Sequence, residues 1–325
     1  MSEVNEVDAR SATDEVTVAV LTYRRPDGVR AILPHLLRQA GEVEPVAEVV
    51  VVDNDPEGSA SELVGSIAVD GRTATYLHEP EPGIAAARNA ALEHARARGS
   101  RAIVFVDDDE IPQSGWLTTL VGYWRSCGAD AVAGPVLPRY PDDIDPWLRA
   151  GGFFERRRRA TGTRLQGAAT NNLLLDLATL QRLGLRFDPA FGITGGSDTM
   201  LTHSLVALGA ELRWCDEAVV TEEVPARRVS RQWVLRRAFR TGNVWGRVSL
   251  TLACRNGSTG STAARRAELL ARAGKRLAEG VARSGVGLLR RDLGARARGS
   301  GDIAAAAGLA ASVVGYVYTE YRRTT

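Results

Sequence analysis

The sequence predicts an α/β fold built on a mostly parallel sheet with helices on both faces. Three observations predict it. Short β-branched runs recur ahead of turn residues, a stretch of helical composition follows most of them, and the chain is long and apolar enough to cover a sheet twice, with 325 residues, 44% of them hydrophobic and 25% charged.

The elements follow in order. Residues 1–14 are acidic and polar, and are expected to be a disordered lead-in rather than a signal peptide. Val16 to Thr22 (VTVAVLT) reads as a buried strand. Pro26 suits the first turn of a helix running to about Ala40. Glu48 to Asp53 (EVVVVD) is a second strand that stops at the turn NDPEG. A polar helix and a strand near Thr73 to His78 come next. Gly83 and Gly99 bracket a helix, Arg101 to Asp107 is a fourth strand, and a helix covers about Ser114 to Cys127. ADAVAGPV reads as a fifth strand, TNNLLLD as a strand and LATLQRLG as a short helix. A helix spans about Ser197 to Gly209, AELRWCDEAVVTEEV holds two short strands, and the pattern is helical and basic from Ser230. Right-handed crossovers place the strand C-termini along one edge, where open α/β sheets bind ligands.

Composition narrows the function. A formal net charge of +2 gives no electrostatic case for nucleic acid. Arginine dominates after Arg149, which suits an anionic partner: a diphosphate, a lipid phosphate or a membrane surface. Cys127, Cys215 and Cys254 have neither disulfide nor zinc spacing and read as buried thiols in a reducing cytoplasm. Ile303 to Tyr318 is the stretch nearest to a membrane span, and is expected either to pack on the protein or to lie against a bilayer.

Acidic residues fall on the predicted ligand edge. Asp53 ends the second strand, and Asp107, Asp108 and Asp109 end the fourth. In an extended segment Asp107 and Asp109 project to one side and offer oxygen ligands to Mg2+ or Mn2+. Such an ion neutralises a diphosphate as its bond breaks.

These pieces, in this order, resemble family 2 glycosyltransferases of the GT-A (nucleotide-diphospho-sugar transferase), Rossmann-like fold. The matching segments are VLTYRRP, VVVVDNDP, EPGIAAARNAAL, VFVDDDEIPQSGWL, GAATNNLLL and FDPAFGITGGSDTML. The resemblance spans about Glu15 to Gly242. It implies a GT-A catalytic domain over 15–225 and an Arg-rich helical region over 226–325 on the acceptor or membrane side. It implies an inverting transfer of sugar from a nucleotide-diphosphate donor, UDP- or dTDP-linked, to a hydroxyl acceptor: a glycan, a lipid-linked sugar or a small natural product.

The resemblance also implies roles for residues. Thr22, Tyr23 and Arg24 would line the nucleotide pocket, and Asp53, with Asn54, would meet the base; an Asx-type turn is the alternative for Asp53. Arg88 and Asn89 would reach ribose or phosphate. Asp107, and less directly Asp108, would touch the donor, and Asp109 would hold the metal. Asp198, preceded by Ser197 where the family commonly has Glu, would be the catalytic base; capping of its own helix is the alternative. Glu222 and Glu223 stand where the family often has a metal-binding His. Trp116 reads as core. Thr170, Asn171 and Asn172, and a helical face carrying Trp233, Arg236 and Arg237, would contact acceptor or phosphate.

A sugar-phosphate nucleotidyltransferase and a non-catalytic nucleotide-sugar-binding partner protein are the competing readings. The first lacks its Gly-rich, Lys-containing loop after strand one. The expected location is cytoplasmic, peripheral to the inner face of a membrane if the C-terminal helices touch lipid.

Overall fold

The computed structural model describes residues 15–141, 143–255 and 259–319, so the lead-in expected over 1–14 lies outside the described residues. The chain divides into two compact units. The first comprises residues 1–137, 156–193 and 197–222, the second 138–155, 194–196 and 223–325.

The first unit is organised by a seven-stranded sheet of order β11-β8-β10-β6-β1-β2-β5. Its strands are β1 (Val16–Thr22), β2 (Glu48–Asp53), β5 (Thr75–His78), β6 (Ala102–Asp107), β8 (Ala131–Ala133), β10 (Leu173–Asp176) and β11 (Leu212–Trp214). Strand β1 pairs parallel with β2 and with β6, and the helices that precede β2 and β6 supply the crossovers that parallel pairing needs. A minor pair, β3 (Ala68–Val69) and β4 (Arg72–Thr73), takes up the front of the strand expected from Thr73.

Helices cover both faces, as continuous apolar strands require. Val16, Val18 and Val20 face α1 (Pro26–Ala40) and α4 (Trp116–Cys127) in one core, with Leu33, Leu36, Trp116 and Leu120. The alternate face, with Ala19, Val50, Val52 and Phe105, packs on α3 (Ile84–Arg98), α6 (Leu177–Arg182) and α7 (Ser197–Ala207). Short α2 (Ser61–Ser66) closes the turn after β2. Pro26 sits in the first turn of α1, and left-handed Gly99 ends α3.

Two departures from the sequence reading shape the site. ADAVAGPV is not one strand: β8 ends at Ala133 and β9 (Val136–Arg139) begins after Gly134-Pro135, since proline has no N–H for the ladder. And β10 runs antiparallel to both β6 and β8, so its N-terminal end reaches the edge where the others present their C-termini. Beside that edge β7 (Glu110–Pro112) pairs antiparallel with β12 (Val220–Glu223).

The second unit contains α5 (Pro146–Gly151), α8 (Arg231–Arg255), α9 (Thr259–Leu289) and α10 (Leu293–Val313). Glycines set the spacing of its helices. A Cβ on Gly308 would strike the Phe239 carbonyl, and one on Gly242 the Ala305 carbonyl, so α8 and α10 meet backbone to backbone. The apolar stretch expected from Ile303 is the second half of α10. Its Ala305, Ala306, Leu309 and Val313 are buried, and among the described residues no helix is long and apolar enough to cross a membrane. The cysteines differ from expectation: Cys215 alone is buried, Cys127 is half-buried and Cys254 is exposed on α8.

Candidate active site

The site is assembled on the edge where β6 ends. Register places Leu21 opposite Asp107, and Leu173 opposite both Phe105 and Ala133. Asp107, Thr22 and the residues entering β10 therefore share one rim. The chain does not stay extended past Asp107: Asp108 and Asp109 form a tight turn into β7. That turn sends Asp108 inward, where it is 5% exposed, accepts a hydrogen bond from the Thr22 hydroxyl at 3.0 Å and pairs with Arg25. Arg25 also pairs with Asp109 at 3.2 Å. Thr22 thus spends its proton on Asp108 and is itself buried.

Burial pushes the Asp107 carboxyl up to about 7; Arg88 opposes the rise, and Asp109 and Asp108 add to it. Glu110 is more extreme. Burial lifts it well above the usual range and Asp107 adds to this, against a hydrogen bond from the Asp107 N–H and the charge of Arg156. Its Oε1 accepts from Asn171 at 2.8 Å and its Oε2 from the Asp107 N–H at 3.0 Å. Arg88, whose charge acts on Asp107, donates to Ser197 Oγ at 2.8 Å and stacks over Phe187. Ser197 immediately precedes Asp198 in the first turn of α7. One arginine therefore bonds the neighbour of Asp198 while its charge acts on Asp107.

Asp198 is half-buried. Its Oδ1 accepts from the Thr199 N–H at 2.7 Å, a cap of its own helix, and its Oδ2 has no hydrogen-bond partner among the described residues. The capping bond thus engages one oxygen and leaves the other without a partner among the described residues.

Several residues expected at the donor also hold the framework. Asp53 is fully buried; Oδ1 accepts from the Asp55 N–H at 3.0 Å, and Oδ2 from the Ala60 N–H at 2.7 Å and the Tyr76 hydroxyl at 3.2 Å. Its carboxylate closes its own turn, as the Asx alternative requires. The Asn54 amide holds the carbonyls of Glu79 and Glu81 and the Gly83 N–H. The Asn89 amide makes a two-way bond to the backbone of Phe187. Asn172 donates to the Pro135 and Ala218 carbonyls and accepts from Trp116, which makes Trp116 a core residue and spends the Asn172 amide. Tyr23 and Arg24 remain at the rim, stacked on each other, with Arg24 paired to Asp55 at 3.1 Å. The Thr170 hydroxyl is 1% exposed and has no hydrogen-bond partner among the described residues.

The metal set also changes. Glu222 Oε2 pairs with Arg156 at 3.0 Å, and Glu223, 72% exposed at its side chain, lies in the second unit 3.8 Å from Arg139. Among the described residues no three His, Cys, Asp or Glu side chains form a ready metal cage. The remaining donor set, Asp107 and Asp109, is two hard carboxylates. That fits a Mg2+ or Mn2+ ion held mainly by substrate phosphates and water. In the second unit Trp233 stacks on Phe154 at 5.7 Å and Arg237 lies over both rings, so these two pack on each other, while Arg236 is exposed.

Residues 17–183, more than half of the chain, match the family model described as glycosyl transferase family 2. The chain is a family 2 glycosyltransferase. This glycosyltransferase is 33% identical over 237 residues to the succinoglycan biosynthesis protein ExoM of Rhizobium meliloti (strain 1021), across 73% of its own length and 75% of that protein's. Two solved structures share its GT-A fold. The mannosyltransferase PcManGT from Pyrobaculum calidifontis, in complex with GDP-Man and Mn2+, has a TM-score of 0.57 at 23% identity, covering 90% of this chain and 85% of that one. GalNAc-T7 with UDP, GalNAc and Mn2+ has a TM-score of 0.53 at 13% identity, and the glycosyltransferase covers 51% of it from 76% of its own length.

The sequence reading of this glycosyltransferase missed Arg25, Glu110 and Arg156. Glu110 had a signal, being the fourth carboxylate of a buried strand's end. Arg25 and Arg156 had none, because only tertiary structure brings an arginine run after Glu155 to Glu222.

Proposed function

We propose that the protein transfers a sugar from a nucleoside-diphosphate donor to a hydroxyl acceptor, with inversion, by a single displacement. The observation that carries this reading is the 2.8 Å hydrogen bond from Arg88 to Ser197, which ties α3 to the turn of α7 that bears Asp198, while the charge of Arg88 acts on Asp107 at the end of β6.

The acceptor oxygen attacks the anomeric carbon, and Asp198 Oδ2 takes the hydroxyl proton. The bond from that carbon to the diphosphate oxygen breaks, and its electron pair leaves with the nucleoside diphosphate. Asp107 and Asp109 would hold Mg2+ or Mn2+, which supplies charge neutralisation for the departing diphosphate. Arg25 anchors Asp109 and Asp108, Arg88 orients Ser197, and Tyr23 and Arg24 offer a ring and a cation to the nucleotide. UDP or dTDP is the proposed nucleotide, and Asn171, which lines the neighbouring cavity, faces the acceptor.

A donor panel tests the reading, with nucleoside diphosphate release measured with and without Mn2+. Turnover of a nucleotide sugar by wild type, metal dependence that weakens in Asp109→Ala, and product of inverted anomeric configuration are expected. Pyrophosphate made from a sugar phosphate and a nucleoside triphosphate would point to nucleotidyl transfer instead.

The second unit meets an anionic bilayer in this reading, placing the protein at the inner face of a membrane. On α9, Leu270, Leu277, Val281 and Leu288 are exposed at spacings that keep them on one face, and Arg266, Arg290 and Arg291 have no ion-pair partner among the described residues.

A further inference from the structure

A second cationic feature lies in the first unit, apart from the rim of β1 and β2. A cavity of about 360 Å3 opens where β8 and β11 end and β10 begins, lined by Arg156, Arg157, Arg159, Arg164, Asn171 and His203 among others. Four arginines in one cavity repel one another unless something offsets them.

Among the described residues, ion pairs offset two of them. Arg156 is paired with Glu222 at 3.0 Å and Arg164 with Glu211 at 2.6 Å. Arg158, outside the cavity, pins the segment by a forked pair to Asp216, helped by Gly162 N–H to the Trp214 carbonyl and Leu165 N–H to the Leu212 carbonyl. Arg157 and Arg159 alternate with these anchored residues and have no ion-pair partner among the described residues. The segment is thus held firmly while two full positive charges stay unbalanced over the cavity.

Neutral groups complete the wall. His203 sits on α7 five residues after Asp198, and its ring packs against Gly167, where a Cβ would lie 2.7 Å from Nε2. Asn171 reaches the cavity while its amide holds Glu110 at 2.8 Å. The cavity therefore adjoins the acidic rim on the β10 side, opposite the strands that carry Thr22 and Asp53 in the order β11-β8-β10-β6-β1-β2-β5.

We propose that this cavity receives a phosphate or diphosphate carried by the acceptor, so that the glycosyltransferase selects acceptors bearing such a group. The inference rests on the glycosyl-transfer reading above. Two unbalanced guanidiniums match a doubly charged group, since a phosphate monoester carries roughly 1.5 to 2 negative charges at neutral pH. A single carboxylate leaves one cation uncompensated. Arginine forks suit tetrahedral oxyanions through paired N–H donors. The donor's own diphosphate is served on the other side of β6.

The test is titration calorimetry of inorganic pyrophosphate into the full chain, without donor or divalent metal and at fixed ionic strength. Saturable binding is expected. The double variant Arg157→Ala/Arg159→Ala should weaken it by at least roughly tenfold, while Arg30→Ala/Arg38→Ala, which removes two exposed charges from α1, should leave it unchanged. Affinity for nucleotide sugar with Mn2+ should be equal in wild type and the cavity variant. In transfer assays wild type should show a lower KM for acceptors bearing phosphate than for their phosphate-free counterparts, and the cavity variant should erase that difference. A glycosyl 1-phosphate and a lipid pyrophosphoryl glycan form separate arms, and preference in either supports the site. Absence of saturable pyrophosphate binding, or equal losses in both double variants, overturns it. Loss of donor affinity in the cavity variant would make the cavity a donor subsite and overturn the acceptor assignment. Pyrophosphate binding without any donor binding by wild type would instead sink the transfer reading, and the acceptor assignment with it.

Discussion

In the proposed mechanism Asp198 has two duties on one carboxylate, and the division between its oxygens makes its substitution informative. Asn keeps the acceptor oxygen that caps α7 through Thr199 but replaces the proton-accepting oxygen with an amide. Asp198→Asn should lower kcat by about 100-fold or more, with donor affinity and melting temperature close to wild type. Full turnover in a steady-state assay would remove Asp198 from the base role. Cys215 provides a second single-residue expectation. Burial raises its thiol from 9.0 to about 11. The unfolded chain therefore loses this proton first, and the contribution of Cys215 to stability, intact below pH 9, fades as pH rises towards 11. Denaturant melts across that range should show a shallower alkaline decline in Cys215→Ala, and thiol labelling at pH 8 should reach exposed Cys254 well before Cys215.

Among the elements, the α8–α10 crossing is the most sensitive to a single methyl group. Gly308 and Gly242 admit the opposing backbone. Gly308→Ala should cost about 1–3 kcal/mol through overpacking, read as a lower unfolding midpoint of the second unit, whereas Gly274→Ala on α9, which meets open space, should be neutral or mildly stabilising. The legibility of the elements followed a physical divide. The strands β1, β2 and β6 could be read because a sheet buried on both faces demands uninterrupted β-branched runs. The direction of β10 could not, since a short Leu-rich run is the same in either orientation. Asp53 shows the same limit at the site. Its place at the end of β2 was legible, but not that Asp55, Ala60 and Tyr76 would claim its oxygens. Asp107 and Asp109 were visible as a pair, while the turn that buries Asp108 between them depends on Thr22 and Arg25, more than eighty positions away.

For the whole molecule, the uneven spread of charge matters more than the net +2. The exposed leucines of α9, with Arg266 on it and Arg290 and Arg291 just after it, which have no ion-pair partner among the described residues, lead us to expect co-sedimentation with vesicles containing anionic lipid and little with purely zwitterionic ones. Raised salt should weaken this association without abolishing it, because the charge contribution is screened and the apolar one is not. Leu277→Glu combined with Leu288→Glu should release the protein at low salt; retention on anionic vesicles would remove α9 from the contact.

The reversed strand in the middle of the sheet has one more consequence. In a run of parallel strands, only segments that leave a strand overlook the reaction edge. Because β10 points the other way, the segment entering it from Arg156 to Thr170 overlooks that edge as well, directly across from the turn that follows β6. Relatives could lengthen, shorten or recharge this one entrance and accept new partners while the nucleotide half stays untouched, so diversification in such enzymes should concentrate between β9 and β10.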